Sequence, residues 1–471
     1  MKVRTRYAPS PTGYMHIGNL RTAIFEYLLA KKYNGDFILR IEDTDQEREV
    51  EGAVDFIYNT LDLCGFKIDE GPNNEGNFGP YIQSKRKDIY KEYALKLVEM
   101  GKAYYCFCSE EELTAMREKA DARHKPFLYD GRCSRLSKEK IEENLKNGVP
   151  YVIRQKMPKT GQTIVEDVVY GKIKIDNSIL DDQILLKSDG FPTYNFANVI
   201  DDHLMEITHV IRGKEYLDQT AKYNLLYEAF GWEKPTYIHV AMVLGEDGNK
   251  LSKRNGDASF MDLYNEGYLP EAIVNYLSLL GWSPETNQEV FSMEELISNF
   301  NEERISKSSS QYDVKKLKWF NHQYINKMDD EKYLSWIKKY FSNECDKSEE
   351  WLNHLLLIYK SHLNYGKEIN ELTSSFFNKE FVIDAEAKEF MESDEVIPKV
   401  VDVFKEEIKS TSNWSVETLQ EVINNVKEKA GVKGKMLFMP IRIAASGIMH
   451  GPELADTLYL IGKEEILNRL K

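Results

Sequence analysis

The sequence reads as an α/β protein: a parallel-sheet domain, interrupted by an α/β insertion and followed by an all-α C-terminal domain. Three observations lead there. A strand–turn–helix–strand pattern opens the chain. A cysteine-bearing, β-rich stretch over residues 103–182 breaks that pattern. Beyond about Asn326 glycine and proline almost vanish while apolar residues recur at helical spacing.

Residues 3–8 read as a buried strand ended by Pro9. Leu20, Ile24, Tyr27 and Leu28 then follow at helical spacing. Phe37-Ile38-Leu39-Arg40-Ile41 is a second short apolar run, followed at once by Glu42, Asp43 and Asp45. Two strands joined by a helix make a βαβ unit, which demands a parallel pair. Ligands of such sheets sit beyond the carboxyl ends of the strands, where His16 and Glu42 both fall. Ile89, Tyr93, Leu97 and Met100 predict a helix over residues 85–101. In the inserted stretch, Thr163-Ile164-Val165 and Val168-Val169-Tyr170-Gly171-Lys172-Ile173 predict strands. Strand signals resume at Ile184-Leu185-Leu186, His209-Val210-Ile211 and Tyr237-Ile238-His239-Val240. Residues 326–430 hold one glycine, Gly366, and one proline, Pro398. Leu352, Leu355, Leu356 and Tyr359 form one helical stripe. Leu419, Val422, Ile423 and Val426 form another, after a Ser415 N-cap. No internal repeat or low-complexity tract interrupts this order.

A length of 471 residues suits two to four domains. With 30% charged and 42% hydrophobic residues, the chain reads as globular and soluble rather than disordered. No apolar segment follows the charges of Met1-Lys2-Val3-Arg4-Thr5-Arg6, and no apolar run reaches the roughly 18 residues of a membrane span. The expectation is a cytoplasmic protein with no membrane or DNA partner. The net charge of −15 counts against loose nucleic-acid binding but leaves room for a local basic face. Five cysteines, Cys64, Cys106, Cys108, Cys133 and Cys345, are an odd number in such a chain, which argues against a disulfide framework.

Two motifs far apart in the chain need each other. The first is Pro9-Ser10-Pro11-Thr12-Gly13-Tyr14-Met15-His16-Ile17-Gly18-Asn19. Its histidine stands at a strand-to-helix turn, where free N–H groups and a partial positive charge suit phosphate. Gly13 and Gly18 let the backbone approach a nucleotide. The second is Lys250-Leu251-Ser252-Lys253-Arg254, after the turn-rich Val243-Leu244-Gly245-Glu246-Asp247-Gly248-Asn249. Cations on such a loop can close over phosphates. Together they suit an ATP-dependent adenylating enzyme.

His16-Ile17-Gly18-Asn19 and Lys250-Leu251-Ser252-Lys253-Arg254 resemble the two signatures of class I aminoacyl-tRNA synthetases. The strings from Arg6 to Gly13 and from Arg40 to Asp45 resemble the glutamyl branch of bacterial type. So do Phe191 to Asn198, Asp201-Asp202-His203 and Val210-Ile211-Arg212-Gly213. Gly434-Lys435, Met439-Pro440-Ile441-Arg442 and His450-Gly451-Pro452-Glu453-Leu454 resemble its C-terminal part. The resemblance runs nearly end to end. Two departures stand out: Asn19 where many class I enzymes have a second histidine, and Arg254 where many have serine.

The resemblance implies a class I Rossmann-like catalytic domain in two halves, residues 1–102 and 184–255. Between them lies an acceptor-end-binding insertion at 103–183. A stem-contact region at 256–325 and an α-helical anticodon-binding domain at 326–471 complete the chain. It implies ATP-dependent activation of glutamate and transfer to tRNA(Glu), with tRNA(Gln) as a second acceptor left open, by a monomer. His16, Lys253 and Lys250 match the catalytic positions. Gly18, Asn19 and Glu215 join His16 and Lys253 around ATP. Arg6 and Arg212 match readers of the L-glutamate side-chain carboxylate, since guanidinium grips a carboxylate with two bonds. Ser10 and Glu42 match positions near the substrate ammonium, and Tyr194 and Asn198 others lining the pocket. Mg²⁺ is expected with ATP, bridging phosphate oxygens.

Cys106-Phe107-Cys108 and Cys133 resemble the zinc knuckle of some family members. Where those carry a histidine after the third cysteine, this chain has Arg135, which cannot ligate zinc. Tyr129 stands where a related modifying enzyme uses tyrosine, and a metal-free insert is the alternative.

Four other readings compete. A tRNA-modifying glutamyl transferase of queuosine type lacks an anticodon-binding domain. A glutaminyl enzyme has a β-barrel where this chain reads helical. A small-molecule nucleotidyltransferase would act without tRNA. A non-catalytic RNA-binding relative would not need His16, Lys253, Arg6 and Glu42 intact.

Overall fold

The computed structural model describes residues 2–471 other than 14, 46, 48, 49, 125, 250, 252–258 and 379. The chain forms two compact units, residues 1–261 with 274–313 and residues 262–273 with 314–471.

In the first unit, strand Arg4–Tyr7 runs parallel to Asp36–Leu39, with Arg4 opposite Asp36 and Tyr7 opposite Leu39. Helix Ile17–Lys32 joins them and buries Leu20, Ala23, Ile24, Phe25 and Leu28. That is the βαβ unit read from the sequence. Strand His209–Gly213 runs parallel to Thr236–Val240 through helix Thr220–Phe230. The Thr208 N–H donates to the Arg4 carbonyl at 3.0 Å, so the first strand lies beside the His209–Gly213 strand. A shared direction brings the carboxyl ends of these strands to one edge. Ile38, Tyr81, Met205, Val210 and Tyr237 pack as one core cluster. Tyr90, Leu97, Ile153, Leu186, Phe196 and Tyr223 belong to another.

The inserted stretch builds an antiparallel sheet from Ala103–Cys106, Val152–Gln155 and Ile184–Leu186. The hairpin of Gln162–Asp167 and Gly171–Asp176 does not join it. Instead, Asp167 lies opposite Tyr237 and the hairpin extends the parallel sheet. Val168, Val169 and Tyr170, expected as strand, form the turn of this hairpin. The reason is local: Oδ1 of Asp167 accepts the N–H of Val169 at 3.0 Å and of Tyr170 at 2.7 Å. Such side-chain capping bends the chain against its β propensity.

Among its described residues the second unit is helical, as expected. One core gathers Ile325, Tyr333, Ile337, Leu355, Leu356 and Tyr359. A second gathers Val400, Phe404, Leu419, Val422, Ile423, Val426 and Ile441. The Ser415 hydroxyl accepts the Thr418 N–H at 3.3 Å, capping helix Val416–Ala430. Replacing such a cap by alanine costs about 1 kcal/mol. Among the described residues no helix is long and apolar enough to cross a membrane.

Candidate active site

A cleft of about 380 Å³ opens at the carboxyl edge of the parallel strands. Its wall includes Arg6, Ser10, His16, Gly18, Asn19, Tyr194, Arg212 and Glu215. The fold thus brings together three parts of the sequence: residues 6–19, Tyr194 and residues 212–215. Glu42 and Asn198 are buried and do not belong to that wall. Lys250 and Lys253 lie outside the described residues; Leu251 between them lines the cleft.

His16 is the N-cap of helix Ile17–Lys32, in extended backbone geometry, and its Nδ1 accepts the Gly18 N–H at 3.2 Å. A neutral imidazole that accepts through Nδ1 carries its hydrogen on Nε2. The ring is therefore oriented by its own helix terminus, beside N–H groups suited to phosphate. Gly13 sits at φ +129°, a conformation that favours glycine. At Gly213, a Cβ would come within 2.2 Å of the Glu215 carboxylate, so only glycine lets Glu215 fold back there.

Beneath the cleft lies a buried ionic network. Arg6 donates from Nε to Asp202 at 3.0 Å and from Nη1 to Glu26 at 3.3 Å. Arg40, wholly buried, donates to Asp202 at 2.8 Å and to Glu42 at 2.9 Å. Burial alone would raise the Asp202 carboxyl, but Arg6 and Arg40 outweigh it and hold it below the ordinary range. Burial raises Glu26 and Glu42 instead, only partly offset by Arg6 and Arg40. Buried charges persist only when paired like this.

Arg212 is arranged differently. Its Nε donates to Nε2 of His239 at 3.3 Å and its Nη2 to the Thr220 hydroxyl at 3.1 Å. The guanidinium lies 4.5 Å from the Tyr223 ring centre and 5.5 Å from that of Tyr216. Among the described residues no carboxylate lies within ion-pair distance of it. Of the two arginines expected to read a carboxylate, Arg6 is matched by Asp202 and Glu26, and Arg212 presents its charge to the cleft.

Oε2 of Glu42 and Nδ2 of Asn198 are among the buried side-chain atoms that lack a hydrogen-bond partner among the described residues. Gln83 supports Glu42 from behind through its Nε2, at 3.5 Å.

In the insertion, the sulfurs of Cys106, Cys108 and Cys133 lie within 4.8 Å of one another. The Tyr129 hydroxyl approaches Cys106 at 3.4 Å and Cys108 at 3.3 Å. Arg135 points elsewhere and donates to the Asp130 carbonyl. The Cys106 thiol, hydrogen-bonded by Cys133 and Tyr129, is pulled down to about 4 despite its burial. The Arg154 guanidinium sits 4.2 Å over the Tyr129 ring. Three soft donors and one oxygen at this spacing fit a tetrahedral zinc ion.

Sequence reading missed Glu26, Tyr216 and His239. A lone glutamate inside the apolar run Ile24-Phe25-Glu26-Tyr27-Leu28, and a lone histidine inside an apolar strand, were the available signals.

Residues 2–319 match the model of the class I tRNA synthetases (E and Q), catalytic domain, and residues 326–471 match an anticodon binding domain. A glutamate–tRNA ligase of Clostridium botulinum is 51% identical over 100% of this chain and 97% of that protein. One of Clostridium tetani is 50% identical with the same coverage. Among solved structures, a glutamate tRNA ligase from Elizabethkingia meningosepticum, in complex with its amino acid, superposes with a TM-score of 0.90. It is 37% identical and covers 100% of this chain and 98% of its own. The glutamate-tRNA synthetase of Elizabethkingia anophelis gives 0.91 at 37% identity, over 100% and 99%. With its signature histidine on a helix cap and an unmatched arginine in the same cleft, the chain belongs to the class I tRNA synthetases of the glutamate and glutamine type.

Proposed function

We infer that this chain is a glutamate–tRNA ligase that uses ATP. The glutamate α-carboxylate attacks the ATP α-phosphate, giving glutamyl-adenylate and pyrophosphate. The terminal ribose 2′-OH of tRNA then takes the glutamyl group and AMP leaves. The observation that carries the amino-acid choice is Arg212, a buried guanidinium facing the cleft with no carboxylate of the described residues beside it. It receives the side-chain carboxylate. Glu42, buried outside the cleft wall, places negative charge near the substrate ammonium, and Asn198 matches a position lining the family's pocket, both as the resemblance implies. Ser10 and Tyr194 close the pocket, and Arg6 keeps Asp202 and Glu26 in place behind it. His16, with its Nε2 hydrogen, acts with Lys253 and Lys250 on the phosphate charge that develops as pyrophosphate departs. Gly18, Asn19 and Glu215 border the nucleotide. Mg²⁺ would enter with ATP and help neutralise the phosphate charge.

Zinc, when bound, would be held by Cys106, Cys108, Cys133 and Tyr129 and would brace the insertion rather than take part in the chemistry. Action as a cytoplasmic monomer rests on the resemblance to the family. The anticodon-domain match argues against the queuosine-type alternative, which lacks that domain.

The test is charging of pure tRNA(Glu) and tRNA(Gln) transcripts with labelled glutamate and ATP. Charging of the first alone marks a discriminating ligase, and charging of both marks a non-discriminating one. Charging of neither, with ATP still consumed, refutes the reading.

A further inference from the structure

We propose that His239 is a positioning residue for glutamate recognition: oriented by Asp167, it aims the Arg212 guanidinium through a neutral acceptor that leaves the guanidinium charge for the substrate. The inference rests on Arg212 reading the side-chain carboxylate, as above.

The three side chains form a buried line, with His239 wholly enclosed. Nδ1 of His239 lies 2.7 Å from Oδ2 of Asp167, and Nε2 receives Nε of Arg212 at 3.3 Å. Directions follow from the donors available. A guanidinium Nε can only donate, so Nε2 accepts and the ring hydrogen sits on Nδ1, facing the carboxylate. Asp167 is itself immobilised. Oδ2 also accepts the His239 N–H at 3.0 Å, while Oδ1 takes the N–H groups of Val169 and Tyr170. The same two bonds that turn the hairpin therefore hold the carboxylate that orients the histidine.

Arg6 supplies the contrast within the same cleft. Its Nε acceptor is the carboxylate of Asp202 at 3.0 Å, with Glu26 on Nη1, and its charge is matched inside the protein. A carboxylate at the place of His239 would hold Arg212 as firmly and cancel the charge that distinguishes glutamate from glutamine. An aliphatic residue would leave the charge and lose the aim. An imidazole with one fixed tautomer does neither. A buried histidine in a strand is usually plain core. Here both ring nitrogens are engaged, Nδ1 by the Asp167 carboxylate of a distant hairpin and Nε2 by the cleft arginine, with the Thr220 hydroxyl 3.2 Å from the same nitrogen.

The experiment measures glutamate KM, ATP KM, kcat and glutamate-over-glutamine preference in tRNA(Glu) charging by the full chain. Variants are His239→Leu, His239→Gln, His239→Glu and Arg212→Gln, with melting temperatures as a check on folding. His239→Leu should raise glutamate KM about ten- to hundredfold, as befits loss of a hydrogen bond to a charged group, with ATP KM unchanged. His239→Gln, whose Oε1 can accept in place of Nε2, should recover most of that. His239→Glu should lose the preference for glutamate although it keeps an acceptor. Wild-type glutamate KM in the leucine and glutamate variants, with Arg212→Gln impaired, overturns the role of His239 and leaves Arg212 as the reader. Wild-type glutamate KM in Arg212→Gln overturns the reading of Arg212 itself. Equal loss in all three His239 variants, ATP KM included, shows a merely structural histidine and also overturns the proposal. If the leucine variant fails to fold, the comparison of glutamine with glutamate at position 239 decides alone.

Discussion

Arg6 and Asp202, 196 positions apart in sequence, meet as a buried ion pair with Nε 3.0 Å from Oδ1. The pair ties the end of the first strand to helix Tyr194–Leu204, and Arg40 donates to the same oxygen. Two cationic groups thus share one carboxylate directly beneath the cleft.

Removing that carboxylate leaves Arg6 to Glu26 and Arg40 to Glu42, two carboxyl groups that burial pushes toward the neutral form. Asp202→Asn should cost about 3–5 kcal/mol, read as an earlier urea transition at neutral pH. Because the folded carboxyl is held below its unfolded value, its stabilisation is full above about pH 4 and lost as the pH falls through the depressed value. The gap between wild type and variant should therefore shrink in acid. A gap that stays constant down to acid unfolding would contradict this.

His16 combines a helix cap with the nitrogen proposed to act on the phosphates, and substitutions can separate the two. His16→Ala should lose about 1 kcal/mol of helix stability and at least about a hundredfold in adenylate formation. His16→Asn should restore the cap, because asparagine caps well, and leave adenylate formation low. Adenylate formation at the wild-type rate in His16→Ala and Lys253→Ala alike would remove both residues from the mechanism.

Burial raises the Glu42 carboxyl above its ordinary value, which favours the neutral form, whereas a substrate ammonium needs the carboxylate. Glutamate KM should therefore rise as the pH falls through the raised Glu42 value, while Glu42→Gln should show a high KM with no acid limb. An unchanged acid limb in the variant would assign it to another group.

Freshly purified protein never exposed to chelator should carry roughly one equivalent of zinc, and Cys133→Ala should carry none. Tyr129→Phe should bind the metal more weakly, shown by faster loss to a chromogenic chelator. Metal-free wild-type protein with full charging activity would make the insert a bare thiol cluster.

The strand–helix–strand opening, the helical second unit and its Ser415 cap were legible because each rests on local periodicity and local hydrogen bonding. His16 was legible for the same reason: strand end, glycine and helix start lie within one short stretch. Residues 168–170 misled, because a strand-forming run was bent by one aspartate side chain. His239 and Glu26 stayed hidden in apolar runs because their meaning depends on partners brought from elsewhere in the chain.

By itself, the sequence determined the elements, their order and the chemistry present in each motif, since these follow from residue type and spacing. Only the tertiary structure decided which charges cancel. Arg6 and Arg212 are the same residue type on neighbouring strands, yet one meets Asp202 and Glu26 and the other meets His239 and Thr220. Coulomb interactions fall with distance and are strong only where water is excluded, so the electrical state of an arginine belongs to the fold around it.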